Sequence, residues 1–270
     1  MNKYLQLGAL TGRRLLSSQA TPAGSSSNLF VVFGASKENI GGALADRLLK
    51  HHDGHVVVAG RNEDKLSALK HALGDRCEYH IVDALNSAEV DSFLKHLKEP
   101  ITGVANCIGT VILKPAHSTT EKEFEDTMRI NAFSSFNILK SSVKLMSKQQ
   151  HGSIAFCASA VAMHGIQNHE AIAAAKGAIV SMAKSAASTY APKNIRINCV
   201  APGLIATPMT ERITSNDAAR KASESMHALK RIGKPHDVAA ALEFFLNPEN
   251  TFVTGQVLGV DGGLGSVRAQ

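Results

Sequence analysis

From Asn28 onward the chain alternates short β-branched apolar runs with longer stretches of helical period. The runs lie at 29–34, 55–59, 78–82, 101–106, 153–157, 195–200 and 256–260. Near-continuous apolar character suits parallel strands, which helices cover on both faces of a sheet. The helical segments fill the gaps at 40–51, 63–73, 87–97, 122–148, 169–190 and 236–246. That order predicts an α/β fold: a doubly wound, seven-stranded parallel sheet whose right-handed crossovers leave a ligand crevice at the carboxyl ends of the strands. A chain of 270 residues, 44% of them hydrophobic, suffices for one core. With no linker, repeat or low-complexity tract after residue 27, residues 28–270 read as a single domain.

Residues 1–27 differ from the rest. Leu5, Leu7, Leu10, Leu15 and Leu16 are interspersed with Lys3, Arg13 and Arg14, and a Ser-rich stretch follows with no acidic residue. This is the pattern of a mitochondrial transit peptide, so the mitochondrial matrix is the expected compartment. The net charge of +6 is largely local: Lys3, Arg13, Arg14 and Lys37 supply four charges before the first acid, Glu38. The body is then nearly balanced, which argues against a nucleic-acid partner. No apolar stretch approaches the ~20 residues of a membrane span, so no membrane partner is expected. Cys77, Cys107, Cys157 and Cys199 are widely spaced, and no metal site is expected.

The first strand runs into Gly34-Ala35-Ser36-Lys37-Glu38-Asn39-Ile40-Gly41-Gly42 and then a helix. Such a strand, glycine-rich turn and helix let backbone amides and a helix N-terminus approach a pyrophosphate, as in a Rossmann dinucleotide site. The turn is one residue longer than the common T-G-x-x-x-G-x-G spacing, with Phe33 in the Thr position and Glu38 or Asn39 where a glycine is expected. Gly34, Ser36, Lys37, Ile40 and Gly41 are its candidate contacts. At the tip of the second strand, an acid would bind the 2′-hydroxyl of NAD, whereas an Arg suits a 2′-phosphate. Gly60-Arg61 stands there, and Lys37 offers a second cation, so NADP(H) is the expected cofactor. Asp83, with Ala84, ends the third strand and offers a carboxylate to the adenine amino group.

Asn106-Cys107-Ile108-Gly109, Asn131, the strand ending Cys157-Ala158-Ser159, Pro202-Gly203 with Thr207, and Asp261-Gly262-Gly263 occur in that order. Over about residues 29–263 the set resembles the short-chain dehydrogenase/reductase superfamily. The resemblance implies that Asn106 braces the sheet beside the cofactor and that Pro202, Gly203 and Thr207 wrap the nicotinamide and its phosphate. It implies further that Lys176 hydrogen-bonds the nicotinamide ribose and lowers a neighbouring acid's pKa. Asn131 would hold a proton-relay water, and Ser159 would bind a substrate carbonyl.

In the family a Tyr four residues before that Lys donates the proton; here Ile172 occupies the position. Tyr4, Tyr79 and Tyr190 are the only tyrosines, and none is near in sequence. Three readings follow. Hydride transfer to a carbonyl persists with another donor, for which His169, about one helical turn earlier, is the candidate. Alternatively the hydride goes to a conjugated enoyl carbon, as in 2,4-dienoyl-CoA reductases, which the Ala-rich approach to Lys176 also resembles. Or the chain is a catalytically inactive NADP-binding scaffold or assembly subunit in mitochondria. Retention of Ser159, Asn131 and Lys176 favours an enzyme acting on a small-molecule substrate. Met209, Ile213 and Met226, in the loop-rich lid expected over 204–229, hint at an apolar one. Apolar positions on several faces of the two longest helices, among them Ile172, Ile179 and Met182, point to a homo-oligomer, a tetramer or dimer, as the family also implies.

Overall fold

The computed structural model describes residues 27–267; the rest of the expected targeting segment, residues 1–26, lies outside the described residues. The strands are β1 (Asn28–Phe33), β2 (Gly54–Gly60), β3 (Cys77–Ile81), β4 (Gly103–Asn106), β5 (Gly152–Cys157), β6 (Ile195–Pro202) and β7 (Val257–Val260). They form one sheet in the order β3-β2-β1-β4-β5-β6-β7, with every pairing parallel. The order reverses between β1 and β4, which places the expected crevice where their carboxyl ends meet.

Helices α1 (Ile40–His51), α2 (Glu63–Leu73) and α3 (Ser87–His96) connect the first four strands. Asn39, Asn62 and Asn86 start them, each accepting backbone N–H bonds of the following turn. Alternate strand residues serve two cores, as a period of two requires. Phe30 and Val32 of β1 pack with Leu44, Leu48 and Leu66 of α1 and α2. Val31 and Phe33 face the opposite layer, with Val90 and Phe93 of α3.

The long helix expected over 122–148 is interrupted. Its parts are α4 (Glu121–Met128), a π-helical turn over Arg129–Phe133, and α5 (Ser134–Gln149). Hydroxyl groups capture the carbonyls there: Ser134 Oγ donates to Ile130 O at 2.6 Å, and Ser135 Oγ donates to Asn131 O at 2.7 Å. Competition of this kind loosens the regular ladder, and π-turns of this type often mark functional sites. Ile172 and Ile179 of α6 (Glu170–Tyr190) are both buried, Ile179 in the core beneath the sheet, while Phe124 on α4, Phe133 and Phe136 are among the exposed aromatics. Within the segment expected to be a loop-rich lid, α7 (Glu211–Thr214) and α8 (Asp217–Met226) form instead, with Asn216 capping the latter.

Helix α9 (Pro235–Leu246) packs on α1 at the edge remote from the crevice. Their contact centres on Glu243, which pairs with Arg47 and lies 2.9 Å from His51 Nδ1 and 3.2 Å from His52 Nε2. Burial alone would push this carboxyl up; hydrogen bonds from His51 and Arg47, with the charge of both, outweigh it and hold it below the usual glutamate value. The Glu243→Gln variant is expected to lose about 1–3 kcal/mol at pH 7. In urea denaturation the deficit should be full above the ordinary value of 4.5 and shrink as pH falls through the lowered one. A deficit that ignores pH would show that the carboxylate's charge contributes nothing.

Candidate active site

Gly34 follows β1 with φ +79°, and a Cβ there would lie 2.7 Å from Ile108 N, in the turn after β4. Only a glycine lets these two turns touch. Gly41 and Gly42 bring α1 equally close: a Cβ on either would meet Gly34 O at 2.8 Å or Ser36 O at 2.0 Å. The extra residue of the turn is absorbed by Asn39. Its Oδ1 accepts from Ser36 N at 2.9 Å and Gly42 N at 3.0 Å, while its Nδ2 donates to Gly34 O at 3.0 Å. One amide side chain thus holds the shape that a glycine gives elsewhere. The result is a backbone cradle ending in the free N–H groups of a twelve-residue helix, suited to a pyrophosphate.

Beside the cradle, β2 pairs with β1 so that Phe33 faces Ala59, and Arg61 projects just past that edge. Lys37 and Arg61 are exposed, and among the described residues neither takes part in an ion pair. Asp83 uses Oδ1 to accept from Leu85 N at 3.0 Å, and Asn137 Nδ2 of α5 donates to Ala84 O at 2.9 Å, fixing the loop after β3. Asn106 is buried; its Nδ2 donates to Ser135 Oγ at 2.9 Å and its Oδ1 accepts from Ile108 N at 2.9 Å. The strand-four asparagine is therefore a brace, tying the turn after β4 to the start of α5. These groups fit a dinucleotide carrying an additional phosphate, because the cradle admits backbone approach and two unpaired cations flank it.

At the other end of the crevice, Asn131 sits within the π-turn, fully buried. Its Nδ2 donates to Thr127 O at 2.9 Å and its Oδ1 accepts from Thr110 N at 3.2 Å. Lys176 is buried on α6 and donates from Nζ to Cys157 O at 2.9 Å. A Cβ on Gly109 would lie 3.1 Å from both Lys176 Nζ and Asn131 Oδ1, so this glycine leaves the ammonium uncovered. Burial pushes the lysine pKa down. It also pushes the nearby thiols of Cys107, Cys157 and Cys199 up, the last to about 12, so they remain neutral. Ser159 follows β5 by two residues and accepts from Val161 N at 3.4 Å, starting a short 3-10 turn. Ile172 is 3% exposed, an apolar wall one turn before Lys176. His169 precedes the first residue of α6, with Nδ1 2.6 Å from Gln167 O. Seven residues separate it from Lys176, about 10 Å along a helix axis.

Pro202 ends β6, and Gly203 N donates to Val260 O at 3.1 Å. Thr207 N donates to Thr210 Oγ1 at 3.1 Å, closing the turn ahead of α7. The lid is pinned by a residue that no sequence pattern singles out, the buried His227: its Nε2 accepts from Leu204 N at 3.3 Å and its Nδ1–H donates to Ser223 O at 2.6 Å. Gly203 is required here, since its Cβ would stand 2.6 Å from that ring nitrogen. The roles of Asn39, Gly109 and Ser135 were also missed. Only Asn39 carried a local signal, an N-cap residue directly before a helical run.

Comparison with known proteins agrees with this geometry. Residues 34–265 match the family described as enoyl-(acyl carrier protein) reductase. The 3-oxoacyl-[acyl-carrier-protein] reductase FabG of Thermotoga maritima is 31% identical over 227 residues, 82% of this chain and 92% of that protein. The FabG of Vibrio cholerae is 31% identical over 237 residues, covering 87% and 96%. Among solved structures, a short-chain type dehydrogenase/reductase from Mycobacterium ulcerans superposes with a TM-score of 0.83 at 26% identity, covering 90% of this chain and 91% of that one. ElxO with NADP bound has the same TM-score and identity, covering 89% and 100%. Sequence and architecture thus lead to one assignment: the chain belongs to the short-chain dehydrogenase/reductase superfamily.

Proposed function

We propose that the protein is an NADP(H)-dependent oxidoreductase that transfers a hydride to a carbonyl or a conjugated enoyl carbon of an apolar small molecule, with a proton donor other than tyrosine. The observation that carries the reading is the pair of exposed, unpaired cations, Lys37 and Arg61, at one end of the crevice, with Lys176, Asn131 and Ser159 at the other. A nicotinamide dinucleotide supplies the hydride when bound. The α1 N-terminus and the amides of the Gly34–Gly41 turn hold the pyrophosphate, Lys37 and Arg61 the 2′-phosphate, and Asp83 the adenine amino group. Pro202, Gly203 and Thr207 close over the nicotinamide end. Ser159 orients the acceptor oxygen, and Ile172 keeps water from it. The names of the FabG relatives and of the NADP-bound ElxO structure are consistent with this chemistry. A second reading, an NADP-binding scaffold without turnover, is favoured by Ile172 alone, because it fills the donor position with apolar volume.

Two further parts of the proposal concern where and in what form the protein works. The acid-free, Arg- and Ser-containing segment 1–27 supports import into the mitochondrial matrix. Exposed Phe133 and Phe136 at the start of α5, with Phe244, Phe252 and Leu258 near the β7 edge, support a homo-oligomer with two kinds of contact, a tetramer or a dimer.

Arg61→Ala is expected to weaken NADPH binding about 10–100-fold, the worth of one charge-assisted hydrogen bond, while changing NADH binding by less than about twofold. Equal losses for both cofactors in a fluorescence titration would remove Arg61 from the phosphate site. Light scattering at micromolar concentration should give a multiple of 28.6 kDa less the removed leader, and Phe136→Asp should lower it; a monomeric wild type contradicts the assembly. A fluorescent reporter carrying residues 1–27 should accumulate in mitochondria, and a diffuse signal would rule out import by this segment.

A further inference from the structure

With Ile172 in place of a tyrosine, the acid must be found among the groups that line the nicotinamide end. The candidates there are few. The thiols of Cys107, Cys157 and Cys199 are held neutral by burial, with pKa values pushed above the ordinary thiol range. His169 stands about two helical turns from Lys176, its Nδ1 directed at Gln167 O. Asn131 has no titratable proton, and Ser159 Oγ, which accepts from Val161 N, can still hydrogen-bond an acceptor oxygen but as an alcohol is too weak an acid to give up its proton unaided.

Lys176 differs from all of these. Its Nζ carries three protons when charged. Among the described residues one protein acceptor takes a proton from it, Cys157 O at 2.9 Å, and no carboxylate lies within 4 Å. Two protons are therefore left without a protein partner. Gly109 packs beside them without crowding them: a Cβ there would lie 3.1 Å from Nζ. Ile172, one turn before Lys176 on α6, offers neither acceptor nor charge.

We propose that Lys176 is itself the proton donor of the reaction, one free N–H binding the nicotinamide ribose and the other delivering its proton to the acceptor. This deepens the oxidoreductase reading and rests on it. With the hydride that a bound reduced nicotinamide would supply to the carbonyl or enoyl carbon, the electron pair displaced onto oxygen would take the proton from Lys176 Nζ. An N–H bond breaks and an O–H bond forms. The cofactor is oxidised, the acceptor is reduced by two electrons, and the neutral amine regains a proton from solvent. An enol formed in the enoyl case returns to the saturated carbonyl compound by exchanging that proton for one on carbon. Burial without a counter-ion favours the neutral amine and so makes the ammonium a better acid than an exposed lysine. The sign follows: turnover needs the protonated form and should fall as pH rises through the lowered Lys176 value.

The test uses the full-length protein labelled with [ε-13C]lysine, titrated by NMR with and without NADPH, with Lys176→Arg assigning the resonance. One lysine signal should titrate below the others and vanish in the variant. Lys176→Arg, which keeps charge and hydrogen bonding, should bind NADPH within about threefold of wild type and lose at least about 100-fold in single-turnover NADPH oxidation with a ketone or enoyl thioester. If the variant does not fold, the wild-type titration and its agreement with the pH dependence of turnover still decide. Turnover with Lys176 titrating among the other lysines, or a variant that keeps its rate, overturns the donor assignment alone. Loss of turnover in His169→Ala with an ordinary Lys176 titration gives that role to the histidine. Failure to bind NADPH, or binding without turnover of any acceptor, overturns this assignment together with the oxidoreductase reading.

Discussion

The whole site depends on a backbone contact that no side chain could share. The turns after β1 and β4 meet at Gly34 and Ile108 because parallel strands in register end at the same level and the sheet order reverses between them. From that contact the rest follows in sequence. Asn106 can reach Ile108 N and Ser135, Ser135 can reach into the π-turn, and the π-turn carries Asn131 toward Thr110. Sheet topology, not any one residue, assembles groups that lie up to 142 positions apart between Gly34 and Lys176.

The two ends of the crevice illustrate opposite treatments of positive charge. Lys37 and Arg61 are solvated, which costs little while a phosphate is absent and gives charge-assisted bonds when one arrives. Lys176 is desolvated, and the cysteines around it offset that burial only in part. An exposed cation recognises; a buried one is reactive because its charge is poorly tolerated.

Much of this is legible in the sequence alone. The alternation of apolar runs and helical segments gave seven strands, their parallel sense and element limits mostly within about two residues, because strands covered on both faces leave a strong signature. The long helix was misread because Ser134 and Ser135 are ordinary helix residues by pattern; only their hydroxyl bonds to carbonyls reveal the break. That Ile172 and Ile179 are covered within the chain itself is likewise beyond the pattern: periodicity finds an apolar face but not which layer covers it. The lid escaped since α8 is short and polar, and its anchor, His227, bonds to backbone atoms, one of them 23 residues away. Cation placement at Arg61 and the loss of a phenol at Ile172 needed no structure, being matters of residue type at a known strand or helix position.

The π-turn has an evolutionary implication. Five residues from Arg129 to Phe133 occupy a wider loop than an α-helix allows, so the segment holds one residue more than a regular helix of equal rise. Deleting a single residue there would let α4 and α5 fuse into one regular helix with the face that α5 turns to the sheet unchanged, because the bulge is what absorbs the extra residue. Ile138, Leu139, Val143 and Met146 would keep their places in the core, but Asn131 would lose the widened turn that carries it toward Thr110. The bulge therefore serves the site and not the packing: descendants of this sequence could shorten the turn and keep the fold, but only by moving Asn131.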